Sequence, residues 1–237
     1  MKISIAIPTW ESHGKGEEFL DDLFRTIEIQ TFKEFEVVIS DHSFDDSLLN
    51  TILNYESKFK IVYVKNDQNR GNSSSNLNSA IKNCSGQIIK IMFQDDFFYD
   101  DESLDKIYAE FTDDTTWLVC GSNHTKDHGN SFYWDLYPKW NDNLLNGLNS
   151  IGSPSSLSVR REVFEKIEFD TNLVMMMDCE FYYNVKKIYG EPIYFNDILI
   201  SNRVHSDQIS YQFYKKNDSN RKLFSELKYC KNKHCLN

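Results

Sequence analysis

Two adjacent carboxylates, Asp95 and Asp96, close the run Gln87-Ile88-Ile89-Lys90-Ile91-Met92-Phe93-Gln94. A hard divalent cation relieves the repulsion between such neighbours through oxygen ligands and commonly completes its shell with substrate phosphates. The apolar run before them has strand length and is nearly continuous, as in strands buried on both faces. Acidic groups at the C-terminal end of such a strand lie where open α/β sheets bind ligands. Taken alone, the dipeptide reads more simply as a solvated turn, since Asp100, Asp101 and Glu102 carry the acidic run onward. Two more polar stretches also follow strand-like runs: Thr9-Trp10-Glu11 and Asp41-His42-Ser43.

The elements that must position these groups alternate. Residues 3–7 read as a strand stopped by Pro8. An amphipathic helix over 17–30 follows, with Phe19, Leu20, Leu23, Phe24 and Ile27 on one face. Residues 35–40 make a second strand, and Asp45-Asp46-Ser47 opens a helix carrying Leu48, Leu49, Ile52 and Leu53. A third strand over 61–64 leads through a polar loop, 66–75, that contains Arg70 and Gly71. Leu77, Ala80, Ile81 and Cys84 mark the next helix, closed near Gly86. This β-α-β-α-β-α-β order with short connections is that of a parallel sheet covered by helices, which places the three polar stretches on one sheet edge.

The second half is less regular. Leu104, Ile107, Tyr108 and Phe111 mark a helix, and 117–121 a strand. Residues 123–152 carry Trp134, Tyr137 and Trp140 without a clean period, which fits either an irregular substrate-facing segment or a hairpin packed on the core. A strand over 155–160, helical turns over 162–167, a helix over 178–189 and a strand over 193–200 follow. Beyond Tyr214 the chain is charged, a tail (215–237) that either forms a short helix around Leu223, Phe224 and Leu227 or frays.

With 237 residues, 40 % hydrophobic and 14 % aromatic, the chain suits one sizeable core. A net charge of −10 argues against nucleic acid or an anionic membrane as partner. No run approaches the ~18 apolar residues of a membrane span, and the N-terminal one is too short for a signal peptide. Five cysteines without C-x-x-C spacing fit reduced thiols, so a soluble, cytoplasmic protein is expected. Cys230, His234 and Cys235 read as part of a solvated terminus rather than a metal site, and His124 and His128 as loop residues.

Several of these stretches together resemble a known family. Ile5-Ala6-Ile7-Pro8-Thr9-Trp10, then Val37-Val38-Ile39-Ser40-Asp41-His42-Ser43 with Asp45-Asp46, then Asn69-Arg70-Gly71, Asn76, Gly86 and Gln94-Asp95-Asp96 are similar to the start of a family 2 glycosyltransferase. Gly152-Ser153, Ser156-Leu157-Ser158-Val159-Arg160-Arg161, Phe164, Phe169-Asp170 and Met177-Asp178-Cys179-Glu180-Phe181 agree. The likeness runs from about residue 3 to residue 210. It rests on order and spacing rather than on any one motif.

The resemblance implies an α/β GT-A (Rossmann-like) fold: a mostly parallel central sheet flanked by helices, with a less regular C-terminal half. It divides a single domain, 1–214, into a nucleotide-binding half (1–100) and an acceptor-binding half (101–214). It implies a metal-dependent, inverting glycosyltransferase that moves a sugar from a nucleoside-diphosphate sugar to a hydroxyl acceptor such as a glycan. A UDP- or dTDP-sugar is favoured, because a carboxylate at Asp41 accepts a hydrogen bond from uracil or thymine N3–H.

Pro8, Thr9, Trp10 and Glu11 match the loop that holds base and ribose, Trp10 offering a stacking face, and Asp41 the base-binding acid. For Trp10 a core aromatic, and for Asp41 a helix-capping turn, are the structural alternatives. Asp95, Asp96 and His205 fall where the family holds manganese or magnesium (Mn2+ or Mg2+). Phe93 stands in place of the usual first acid, with Gln94 a partial substitute. Arg70 and Asn76 are candidates for the diphosphate; Arg70 otherwise reads as a solvated loop residue, and His205 as a structural histidine. Asp178 matches the catalytic base, and Met177 replaces the acid before it, which leaves Asp178 in a more apolar setting. Glu180 reads as an acceptor contact or a helix-surface charge. A degenerate sugar-nucleotide-binding module is the non-enzymatic alternative. A sugar nucleotidyltransferase is the other enzyme class, although the segment 8–16 lacks its Gly-rich loop form.

Overall fold

The computed structural model describes residues 1–208 and 217–235. Among them nine strands join one sheet: β1 (Ile3–Thr9), β2 (Phe35–Asp41), β3 (Ile61–Lys65), β4 (Ile88–Ile91), β5 (Phe97–Phe98), β6 (Trp117–Thr125), β7 (Tyr133–Leu136), β8 (Leu157–Arg160) and β9 (Ile193–Arg203). The order is β3-β2-β1-β4-β8-β6-β9-β5, with β7 hairpinned onto β6. β3, β2, β1 and β4 run parallel, as do β6 and β9, whereas β8, β5 and β7 pair antiparallel with their neighbours.

Period-two alternation sends side chains to two cores. Ile3, Ile5 and Ile7 of β1 pack with Leu20, Leu23, Phe24 and Ile27 of α1 (Gly16–Glu28). Ile52 of α2 (Leu49–Tyr55) and Leu104 and Ile107 of α4 (Ser103–Glu110) join that face. Ala6 on the other face meets Leu77, Ala80 and Ile81 of α3 (Ser73–Lys82), beside Phe181 and Tyr182 of α5 (Met177–Tyr189). β1, β2 and β4 are buried along their whole length, which is why they read as continuous apolar runs. Gly86 is required where the turn before β4 crosses β1, since a Cβ there would lie 2.5 Å from the Ser4 nitrogen.

Three expectations change. Pro8 does not stop β1, which continues to Thr9 in register with Ser40 and Asp41. The Ala6 carbonyl accepts from Met92 and the Thr9 carbonyl from His42, so Pro8 points to the β4 side beyond the last ladder pair, where no N–H is needed. The 123–152 segment begins within β6, so His124 is a strand residue, and β7 leaves Tyr133 and Trp134 exposed. The charged C-terminal segment contains helix α6 (Asn217–Lys233), which packs Leu223, Leu227 and Cys230 on the α3–α5 core. Cys230 is fully buried and the His234 side chain nearly so, not solvated as expected.

Candidate active site

The C-terminal ends of β1, β2 and β4 do share one edge. Asp41 closes β2 without accessible surface. Its Oδ1 accepts from the Ser43 amide at 2.8 Å and hydroxyl at 2.6 Å; Oδ2 accepts from Tyr63 at 2.9 Å and faces Lys65 Nζ at 3.3 Å. Burial and this carboxylate together push the Tyr63 phenol up, keeping it a neutral donor. A base that reached Asp41 would take the place of Tyr63 or Lys65. Asn76 and Gln94 serve the β1 loop rather than open space. Asn76 Nδ2 donates to the Thr9 carbonyl at 2.9 Å. The Gln94 amide grips both sides of Trp10, accepting from its N–H at 2.8 Å and donating to its carbonyl at 3.0 Å. This fixes the loop and leaves Trp10 39 % exposed, its ring edge-on to His13. The Glu11 carbonyl accepts from Gly14 and Gly16, closing the turn into α1. Arg70 pairs with Asp67 and lies over the Phe44 ring, 4.7 Å from its centroid, so it is held on the loop rather than solvated.

Asp95 and Asp96 part company. Asp96 turns under the turn, nearly buried, and accepts from the Arg203 amide at 3.2 Å and from the Ser155 hydroxyl. Burial, then the charge of Asp95, raises its carboxyl well above the ordinary range. Asp95 stays part-exposed, with Oδ2 3.0 Å from His205 Nε2. His205 packs on Phe19, and its Nδ1 is buried without a hydrogen-bond partner among the described residues. Two donors, Asp95 and His205, therefore converge, while Asp96 supports the turn. A divalent cation fits this pair if a diphosphate and water supply its remaining oxygens, as magnesium sites commonly arrange.

Arg203 ties these pieces together, a role its place in the strand did not announce. Its side chain is 4 % exposed, with Nη2 2.8 Å from Asp22, Nη1 2.9 Å from His128 and Nε 3.1 Å from the Asp95 carbonyl. His128 bridges Asp22 at 2.9 Å and Glu18 at 3.3 Å, so it anchors the β6–β7 turn to α1. Asp22, Glu18 and His128 lie close enough together to hold a cation, but the Arg203 guanidinium already fills that role.

Asp178 stands in the first turn of α5. The residue is part-buried, and desolvation pushes its carboxyl up to about 6 against donation from the Cys179 amide at 2.7 Å and Asn149 at 2.8 Å. Met177 itself faces α3, its sulfur 3.3 Å from the Ser73 hydroxyl. The loop holding Asn149 links the two acidic centres. Asn149 binds Asp178, Ser153 donates to Asn202 at 2.7 Å, and Ser155 binds Asp96. Glu180 is fully buried rather than a surface charge, its Oε1 held by Asn184, Lys233 and His234.

The chain is thus an α/β protein whose sheet ends in an acidic strand terminus, with a second carboxyl across a loop. The model for glycosyl transferase family 2 matches residues 4–168, and the chain belongs to that family of transferases. An uncharacterised glycosyltransferase of Rickettsia conorii is 26 % identical over 95 % of this chain, which spans 38 % of that relative. A poly(ribitol-phosphate) beta-N-acetylglucosaminyltransferase of Staphylococcus aureus, TarS, is 28 % identical over 41 % of this chain and 17 % of its own length. Among solved structures, S. aureus TarS 1–349 in complex with UDP superposes with a TM-score of 0.67 at 20 % identity, over 95 % of this chain and 65 % of that one. The mannosyltransferase of Pyrobaculum calidifontis in complex with GDP-Man and Mn2+ gives 0.69 at 15 %, over 95 % and 63 %. These likenesses establish the GT-A fold. No helix among the described residues is long and apolar enough to cross a membrane.

Proposed function

We propose that this chain transfers a sugar, with inversion, from a nucleoside-diphosphate sugar to a hydroxyl of a glycan acceptor. The observation that carries the reading is Asp178: a carboxyl raised to about 6 by burial, at a helix start, held by Asn149 of the same 149–155 loop whose Ser155 binds Asp96, the neighbour of Asp95. Asp178 takes the acceptor proton as that oxygen attacks the anomeric carbon, and the nucleoside diphosphate leaves with the electrons of the broken bond. One in-line displacement inverts the carbon. Asp95 and His205 would hold a divalent cation, whose chemistry there would be charge neutralisation of a diphosphate. TarS with UDP and UDP-GlcNAc supports a uridine donor, and the mannosyltransferase with Mn2+ supports the metal. The exposed aromatic rings of Phe132, Tyr133, Trp134 and Tyr137 support sugar rings as acceptor, since such faces stack on pyranose C–H groups.

A panel of nucleotide-sugars and oligosaccharides with manganese tests this, read by nucleoside diphosphate release and by product anomer. UDP-sugars are expected to turn over and UDP to outcompete ADP. A retained anomer removes the single displacement. Phe93, part-buried at the usual first-acid position, favours a second reading as a binding module. Binding of donors with no turnover of any would select that reading.

A further inference from the structure

Helix α6 bears directly on the segment that carries Asp178. Glu226 is nearly buried, and its Oε2 accepts from three consecutive amides, Val174 at 3.1 Å, Met175 at 2.8 Å and Met176 at 3.0 Å. Amides converging on one anion form the concave nest that fixes a backbone turn. This turn runs straight into α5, two residues before Asp178. The rest of the helix grips the same stretch from both ends. Tyr229 donates to Asp170 at 2.9 Å, Lys233 bridges Asp170 at 2.6 Å and Glu180 at 2.8 Å, and His234 reaches Glu180 at 2.9 Å. From the opposite side, Ser74 of α3 donates to the Leu173 carbonyl at 3.1 Å and Asn72 to that of Thr171 at 2.7 Å.

We propose that Glu226 is a positioning residue, and α6 a clamp, that aims Asp178 at the acceptor hydroxyl. The proposal rests on the reading of Asp178 as base. Glu226 touches no reacting atom; it acts by fixing where α5 starts. With the nest anion removed, the three amides turn to water, the first turn of α5 loosens, and Asp178 slips from Asn149. The titratable groups facing Asp178 are the Cys179 thiol and the Tyr182 hydroxyl, both raised by burial and neutral near pH 7. Loosening therefore acts through hydration of the carboxyl and not through a new charge.

The test compares wild type with Glu226→Ala, Glu226→Gln and Asp178→Asn. The Asp178 side-chain carbon is titrated by NMR, hydrogen exchange is followed at residues 174–176, and transfer is measured with UDP-GlcNAc and with each UDP-sugar that the donor panel turns over. In Glu226→Ala the Asp178 midpoint should fall from about 6 toward the ordinary carboxylate range, and the three amides should exchange at least tenfold faster. Transfer should lose at least tenfold in kcat with donor KM within twofold. Glu226→Gln keeps an oxygen for the nest and should recover most of kcat. Tyr229→Phe with Lys233→Ala, which empties no buried position, should move all readouts the same way and serves if Glu226→Ala does not fold. A wild-type midpoint and kcat in Glu226→Ala, with Asp178→Asn inactive, overturns the clamp alone. Full transfer in Asp178→Asn overturns the base, and with it the role given to Glu226.

Discussion

At the scale of single residues, environment separates carboxyls that the sequence presents alike. Asp178→Asn should keep donor affinity and lose transfer by ~10²–10⁴-fold, the usual worth of a general base. Because burial raises this carboxyl, activity should be full well above pH 6, near pH 8, and fall to half at about 6; a wild-type acid limb near 4 would contradict the assignment. Asp95→Ala should abolish any tightening of UDP binding by manganese, measured by calorimetry with and without chelator, whereas Asp96→Asn should leave much of it. That difference was not legible in the chain, because adjacent Asp95 and Asp96 differ only in what folds over them: Arg203 and Ser155 arrive from residues far away in sequence. The candidacy of Asp178 as base was legible only through its neighbours in the motif. Asn149, which holds it, lies in a stretch with no period to read.

At the scale of elements, β1, β2 and β4 could be read directly, since strands buried on both faces need no partner to explain their apolar runs. β7 and β5 could not, because Tyr133–Leu136 and Phe97–Phe98 are strands only by virtue of β6 and β9. The β6–β7 hairpin also holds Trp134 at φ 49°, a strained setting for a bulky residue, while leaving it 72 % exposed. Strain of ~1–3 kcal/mol at such a residue persists where function holds it. Trp134→Gly should therefore hold or raise the thermal midpoint while raising acceptor KM several-fold; an unchanged acceptor KM would take the aromatic strand out of acceptor binding. A helix around Leu223, Phe224 and Leu227 is one of two readings of the tail, but where it docks was not legible, because Glu226, Tyr229 and Lys233 fix it through polar contacts with distant residues.

At the scale of the whole molecule, two depressed carboxyls tie distant parts of the chain together, Glu36 within the first half and Asp170 between the second half and α6. Burial would raise Glu36, but Lys60, Ser85 and Ser4 hold it at about 2; Asp170 is likewise held at about 2 by Lys233, Asn172 and Tyr229. Both folded values lie below the ordinary 4.5 and 3.8, so their stabilisation is present above those values and is lost as pH falls toward 2. Denaturant midpoints should decline over that window, and Lys60→Met and Lys233→Met should each shallow the decline. The topology has a further consequence, for synthesis. β3, β2, β1 and β4 form from residues 3–91 alone, whereas β6 must wait for β9 and the start of α5 for α6. On a ribosome that releases the chain N-terminus first, the first half of the sheet can fold early, and the segment bearing Asp178 is secured only after Lys233 has emerged. On the proposed reading, such a nascent chain would have Asp41 in place well before the proposed base is secured.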